Sequence, residues 1–242
     1  MSSAPKLPEN NSNLPVDASV ALPASDNVAA DLRGFGPLGV LAIFIILGIN
    51  LLGFPLGGLL VLLWAWRSHT PWSEIGYVQP ESWTRTFAIG ITIGIAFKLF
   101  MKVIVMPLLG APPINQTYHY LAGNSAALPG ILFTLIVSAG FGEETVFRGY
   151  LFERLGKLFG SGVSAKTSIV LLTAGLFGLA HYHDQRLAGA EQATITGIVF
   201  GTIFAVTGRI WMTMIVHLAF DFTAVAIIYW NLEIGTAHLV FK

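Results

Sequence analysis

Beyond residue 33 the chain is a series of long apolar runs separated by short polar segments. A helix that crosses a bilayer needs about 20 mainly apolar residues. The first run, Pro37 to Trp66, is long for one crossing and short for two. Asn50, Gly53, Pro55 and Gly57 interrupt its middle. It reads as one tilted, kinked span, with a tight hairpin as the alternative. Later runs predict spans at about Phe87–Leu109, Leu128–Leu158, Ala165–Ala180, Ala193–Val206 and Trp211–Trp230. The short connection Thr207–Ile210 predicts that the last two are antiparallel neighbours. The expected fold is therefore all-α: a polytopic transmembrane helix bundle of about six spans, or seven if the first run is a hairpin.

Residues 1–33 break the pattern. They are rich in Pro, Ser, Asn and Asp and bury too little apolar surface to offset chain entropy, which predicts a disordered N-terminal tail. They lack the basic start and apolar core of a signal peptide. Residues 34–242 then form the membrane domain. Small residues four apart, Gly53/Gly57, Gly90/Gly94 and Gly197/Gly201, predict close helix packing. Trp72, Tyr77 and Trp83, in the polar segment after the first run, suit the membrane interface.

Charge adds an orientation. Arg67, Arg85, Arg154, Lys157, Lys166 and Arg209 fall on one side of a six-span arrangement; Lys6, Arg33, Arg186 and Lys242 fall on the other. Loop lysines and arginines favour the cytoplasm. The expected arrangement is a multi-pass protein of the plasma (inner) membrane with both termini outside the cytoplasm. A hairpin in the first run would move the N-terminus inside. The composition, 54% hydrophobic and 11% charged, fits this. Thirteen basic residues balance thirteen acidic ones, so no basic excess is present to hold nucleic acid. The absence of cysteine removes disulfides, thiolate metal sites and cysteine nucleophiles.

Ionisable residues inside spans are rare and commonly functional. Glu143 and Glu144 lie in "GFGEETVFRGYLF", well inside the third run. Arg148 follows Glu144 by four residues and shares its helix face. One buried ion pair accounts for Glu144 and Arg148 and leaves Glu143 without a partner, as a candidate proton-transfer group. His181 ends the fourth run. His217 and Asp221, four apart, share a face inside the sixth. Lys98 and Lys102 read as lysines reaching toward the interface, the alternative being a cation for a substrate carboxylate. His69, His119, His183 and His238 fall in loops or the tail and receive no role.

This inventory can activate water. A carboxylate and an imidazole remove its proton, and a second imidazole stabilises the oxyanion of a carbonyl under attack. Equally, His181, His217, Asp221 and Glu143 can hold a zinc ion with an open position. The H-E-x-x-H and G-x-S-x-G patterns are absent. Treated as straight rods, Glu143 and His217 lie about 9 Å from one face and His181 about 24 Å, so the depths do not meet without adjustment. The expected remedy is a fourth span that starts nearer Ser168, together with a third helix that runs unbroken to Leu158 and carries Glu143 deeper, and a water-filled cavity open to the cytoplasm.

E-E-x-x-x-R at 143–148, F-x-x-x-H at 177–181 and H-x-x-x-D at 217–221 together resemble the three motifs of the CAAX prenyl protease and bacteriocin-processing family. The stretch "WSEIGYVQPESW" resembles that family's segment ahead of the core. The resemblance implies an intramembrane endopeptidase with its catalytic core at about 128–230, acting on a membrane-associated or CAAX-like protein or peptide at the bilayer. It implies Glu143 as catalytic carboxylate, His181 sharing in water activation, and His217 with Asp221 at the oxyanion or a metal. Arg148 would fix the glutamate helix. Asp221 stands where the eukaryotic branch carries asparagine. An ionised aspartate cannot donate to an oxyanion, so Asp221 must be protonated, orient His217 or ligate a metal. Two other functions fit the same residues: a proton-coupled carrier, and an immunity or scaffold protein without chemistry.

Overall fold

The computed structural model describes residues 24–51 and 56–241, and among these there are helices and no strands. Among the described residues four helices are long and apolar enough to cross a membrane: α4 (Trp83–Leu108), α5 (Leu128–Phe159), α6 (Val163–Thr207) and α7 (Ile210–Tyr229). Shorter helices are α1 (Ala24–Arg33), α2 (Pro37–Leu51), α3 (Leu56–Arg67) and α8 (Glu233–Ala237). A bent pair, Asn27–Arg33 with Pro37–Asn50 at 57°, raises the count to five if it is one span.

α6 is 45 residues long but is not one rod. Arg186 leaves helical geometry (φ 56°, ψ −157°), and the chain folds back there. Side chains from the two limbs meet in antiparallel register: Gly178 against Thr194, Gly197 against Ala174, Gly201 against Val170. These limbs are the expected fourth and fifth spans. The connection between them is shorter than anticipated, because the helix continues through His181 to the break.

The first apolar run is two helices, not one kinked span. α2 and α3 pack on each other. Ile46 and Val61 share a core cluster, and Asn50 abuts Gly57. The Pro-Gly interruption falls at residues 52–55, outside the described residues. The chain before it returns to the same end of the bundle. Trp64 Nε1 donates to Leu32 O (3.0 Å), and Arg33 pairs with Glu74 (3.8 Å). α1 and α8 therefore lie at opposite ends of the bundle.

Residues 24–33 form α1 rather than part of a tail; residues 1–23 lie outside the described residues. Arg154 anchors α1. Its side chain is buried, pairs with Glu153, stacks on Trp64 at 4.6 Å and donates to Arg33 O (2.8 Å). That bond satisfies a carbonyl which a helix end would otherwise leave open.

α4 and α7 form the most extensive helix contact, and small residues make it. Without a hydrophobic drive between helices in lipid, close approach supplies the attraction. A Cβ on Gly94 would meet Ala219 Cβ at 2.6 Å and Phe220 N at 2.9 Å; one on Gly90 would meet Ile215 Cγ2 at 2.7 Å. Gly94→Val should cost about 1–3 kcal/mol by overpacking and lower the melting temperature in detergent. Gly48→Ala, where the space is open, should not.

The segment between α3 and α4 is a packed brace. Gly76 turns it at φ 81°, and any side chain there would strike the Phe204 ring. Gly76 O accepts from Ile210 N (2.9 Å) and so sets the start of α7. Tyr77 packs inward against α5 and α7. Its ring meets Trp211 edge-on at 5.3 Å, and burial pushes its phenol up to about 12. Thr145 Oγ1 donates to Phe141 O (2.6 Å), so Tyr77 donates to Thr145 (2.7 Å). The brace thus grips α5 one residue from Glu144.

Candidate active site

α5 widens over Leu135–Tyr150 into π geometry, with i→i+5 hydrogen bonding; Leu151 N donates to Val146 O. Such segments are uncommon and concentrate at functional sites. More residues per turn means less rotation per residue, so the consecutive Glu143 and Glu144 turn toward the same neighbour. That neighbour is His217 on α7. Its Nδ1 lies 2.7 Å from Glu144 Oε1, and its Nε2 lies 3.9 Å from Glu143 Oε2 and 3.4 Å from Asp221 Oδ2.

Arg148 Nη1 donates to the same Glu144 Oε1 (2.8 Å). Glu144 and Arg148 are 0% and 1% exposed. Two donors on one oxygen hold Glu144 as a carboxylate, which fixes Nδ1 of His217 as a protonated donor. The lone pair of a neutral His217 would then face two carboxyl groups. A proton at Nε2, or on one of those acids, removes the repulsion.

Aromatic rings complete the enclosure. The Arg148 guanidinium lies 4.7 Å from the Phe177 ring and 5.4 Å from Phe200. Phe200 also packs on His217 at 4.9 Å, and Phe177 on His217 at 6.1 Å. These rings exclude water from the Glu144–Arg148 pair, which raises the cost of breaking it. Sequence reasoning gave them no role. Phe177 carries a signal, since it precedes His181 by four residues; Phe200 carries none.

His181 stands apart from the hydrogen-bonded cluster. Its Nδ1–H donates to Phe177 O (2.8 Å) and its ring packs on Phe177 at 4.6 Å. This leaves Nε2 as the acceptor nitrogen. Phe177, one turn from His181, meets Arg148 and His217. That contact places His181 one helical turn from the residue that touches Arg148 and His217.

Glu143 and Asp221 are the open acids of the cluster. The Glu143 side chain is 23% exposed, Asp221 is 21% exposed, and Glu143 Oε2 has no hydrogen-bond partner. The donors suit zinc chemically. Among the described residues, however, no three of them converge as metal ligands do.

A cavity of about 490 Å³ lies on the Lys98 side of the bundle and comes, at Ala224, within one helical turn of Asp221. It is lined by Lys98, Lys102, Arg186, Gln192, Ala224 and Glu233, among others. These residues belong to the end of the bundle carrying the 109–127 loop and α8, opposite Arg67, Arg85 and Arg209. An orientation that puts those arginines in the cytoplasm therefore turns this cavity away from it. Lys98 does not reach out to the interface as expected. It is 7% exposed, with Nζ bonded to Gln192 Oε1 (3.2 Å) and 4.6 Å from the Phe220 ring.

Residues 125–223 match the family model described as Rce1-like, type II CAAX prenyl endopeptidase. The match agrees with the resemblance drawn from the three motifs, and all six candidate residues fall inside it. Lys98, Lys102 and most of the loop before α5 fall outside. Neither curated proteins nor solved structures give a match to the chain.

Proposed function

We propose that this helical membrane protein, with its Rce1-like domain at residues 125–223, is an intramembrane endopeptidase that uses Glu143 to activate water. The family supports a CAAX-type intramembrane endopeptidase in general. The finer reading rests on one observation: Glu143 Oε2 is unpartnered and faces a histidine whose other nitrogen is locked by Glu144.

Water binds between Glu143 and His181. Glu143 takes its proton as the oxygen attacks the scissile carbonyl. The carbonyl π electrons move to oxygen, and His217 Nε2–H stabilises that oxyanion. Asp221, 3.4 Å from Nε2, orients His217 before substrate arrives. The tetrahedral intermediate collapses, the C–N bond breaks, and Glu143 returns its proton to the departing amine. The Glu144–Arg148 pair holds His217 in the required tautomer. The substrate is a protein or peptide at the bilayer. The chemistry opens toward the 109–127 end.

The test is hydrolysis of a membrane-peptide library by the purified protein in detergent, beside His181→Ala and His217→Ala. Both variants should lose about 10²-fold or more in rate. Full activity in either would sink the assignment. Zinc content measured on the same preparations should not track activity. Near one zinc per chain, lost in His217→Ala, would replace the glutamate reading with a metal one.

A further inference from the structure

The cavity beside the active site has the wrong chemistry for a purely apolar ligand. Its volume, about 490 Å³, is that of a small-ligand site, and two lysines line it. Lysines in membrane proteins extend to water when they can. Lys98 does not. Its ammonium has an amide oxygen and a ring as partners, neither of them a carboxylate. A buried ammonium without a contacting carboxylate is costly. An incoming anion offsets that cost.

Lys102 lies one turn further along α4, also at the cavity wall, where it bonds Pro113 O. Arg186, at the apex of α6, adds a third cation to the lining. Two acids oppose them. Glu233 is already committed: Oε1 accepts from Asn115 N (2.7 Å) and Oε2 pairs with His119 Nδ1 (2.8 Å). Glu191 is the other. The cavity comes within one helical turn of Asp221. Ala224 lines it three residues after Asp221, and Lys98 sits over Phe220, the neighbour of Asp221.

We infer that this cavity is a subsite for a carboxylate carried by the peptide substrate, with Lys98 and Lys102 as its anion-binding groups. The inference rests on the endopeptidase reading. An extended peptide advances about 3.3 Å per residue, so the recognised carboxylate lies a few residues from the scissile bond. It belongs either to the chain terminus or to a side chain.

The test is binding, not turnover. The full chain carrying Glu143→Gln is held in detergent, and fluorescence anisotropy is followed with three probes. These are dansyl-Gly-Ala-Leu with a free carboxylate, its C-terminal amide, and dansyl-Gly-Glu-Leu amide. A carboxylate probe should bind about tenfold or more tighter than the neutral amide. Lys98→Met and Lys102→Met should each erase most of that preference, and Lys98→Arg should retain it. Which acid is preferred identifies the source as terminal or side-chain. Lys102 is only partly buried, so its variant remains informative if Lys98→Met does not fold. Equal binding of acids and amide overturns the inference, as does an acid preference that survives both replacements. Displacement by glycerol 3-phosphate with no peptide acid bound would also overturn it and assign the site to a lipid headgroup. Because the protein tested is already inactive in hydrolysis, failure here leaves the peptidase reading intact.

Discussion

Glu143→Gln lowers peptide hydrolysis by about 10²–10⁴-fold, the usual contribution of a positioned general base, while the protein stays folded. The second half of this expectation follows from the same geometry. Glu143 Oε2 is buried and has no hydrogen-bond partner, so the native carboxylate does little for stability. Replacing it with a neutral amide of the same shape removes a poorly solvated acid beside Asp221 and Glu144. The melting temperature in detergent should therefore be unchanged or higher. A catalytic group that costs stability is expected where activity requires an unsatisfied charge. Activity retained in Glu143→Gln, with the protein folded, would remove the residue from the mechanism.

Arg148→Met is expected to act the other way, on the fold first. It leaves Glu144 as a carboxylate at 0% exposure with only His217 as a donor. Breaking a buried pair by removing one partner costs about 3–5 kcal/mol. The Phe177 and Phe200 rings around the guanidinium leave water little access to repair it. Thermal unfolding in detergent measures the loss. The double variant Glu144→Leu with Arg148→Met should recover most of the stability, since replacing both members of a buried pair with apolar groups is often neutral. It should not recover activity, because His217 Nδ1 then has no acceptor and the ring is free to turn. Recovery of both would mean that the pair serves packing alone.

The two variants separate neighbouring residues with opposite roles. Glu143 and Glu144 are adjacent on one widened helix, and both approach His217. One is tied by two donors and the other is left open. Pairing Glu144 with Arg148, and leaving Glu143 out of the pair, required only that Arg148 stand four residues from Glu144. That much was legible in the chain. The contact of Glu144 with His217, 73 residues away, was not, and it makes Glu144 a direct partner of the histidine.

The apolar runs by themselves determined that this is a helical membrane protein, because about 20 apolar residues have few other places to go. The i, i+4 spacings placed His217 with Asp221 and Glu144 with Arg148, because a single helix fixes those neighbours. Residues 37–66 were different. Their interruption at Asn50–Gly57 allowed either a kink or a hairpin, and only the packing of α3 against α2 and α5 decided for the hairpin. Lys98 was ambiguous for the same reason. Whether a lysine reaches water depends on which helix covers it, and α6 supplies Gln192. Phe200, too, gained its role from the face of α6 that meets α5 and α7. Periodicity reports the faces of one helix; which faces meet is set by close approach at small residues such as Gly94, Gly178 and Gly197, and that exists only in the assembled bundle.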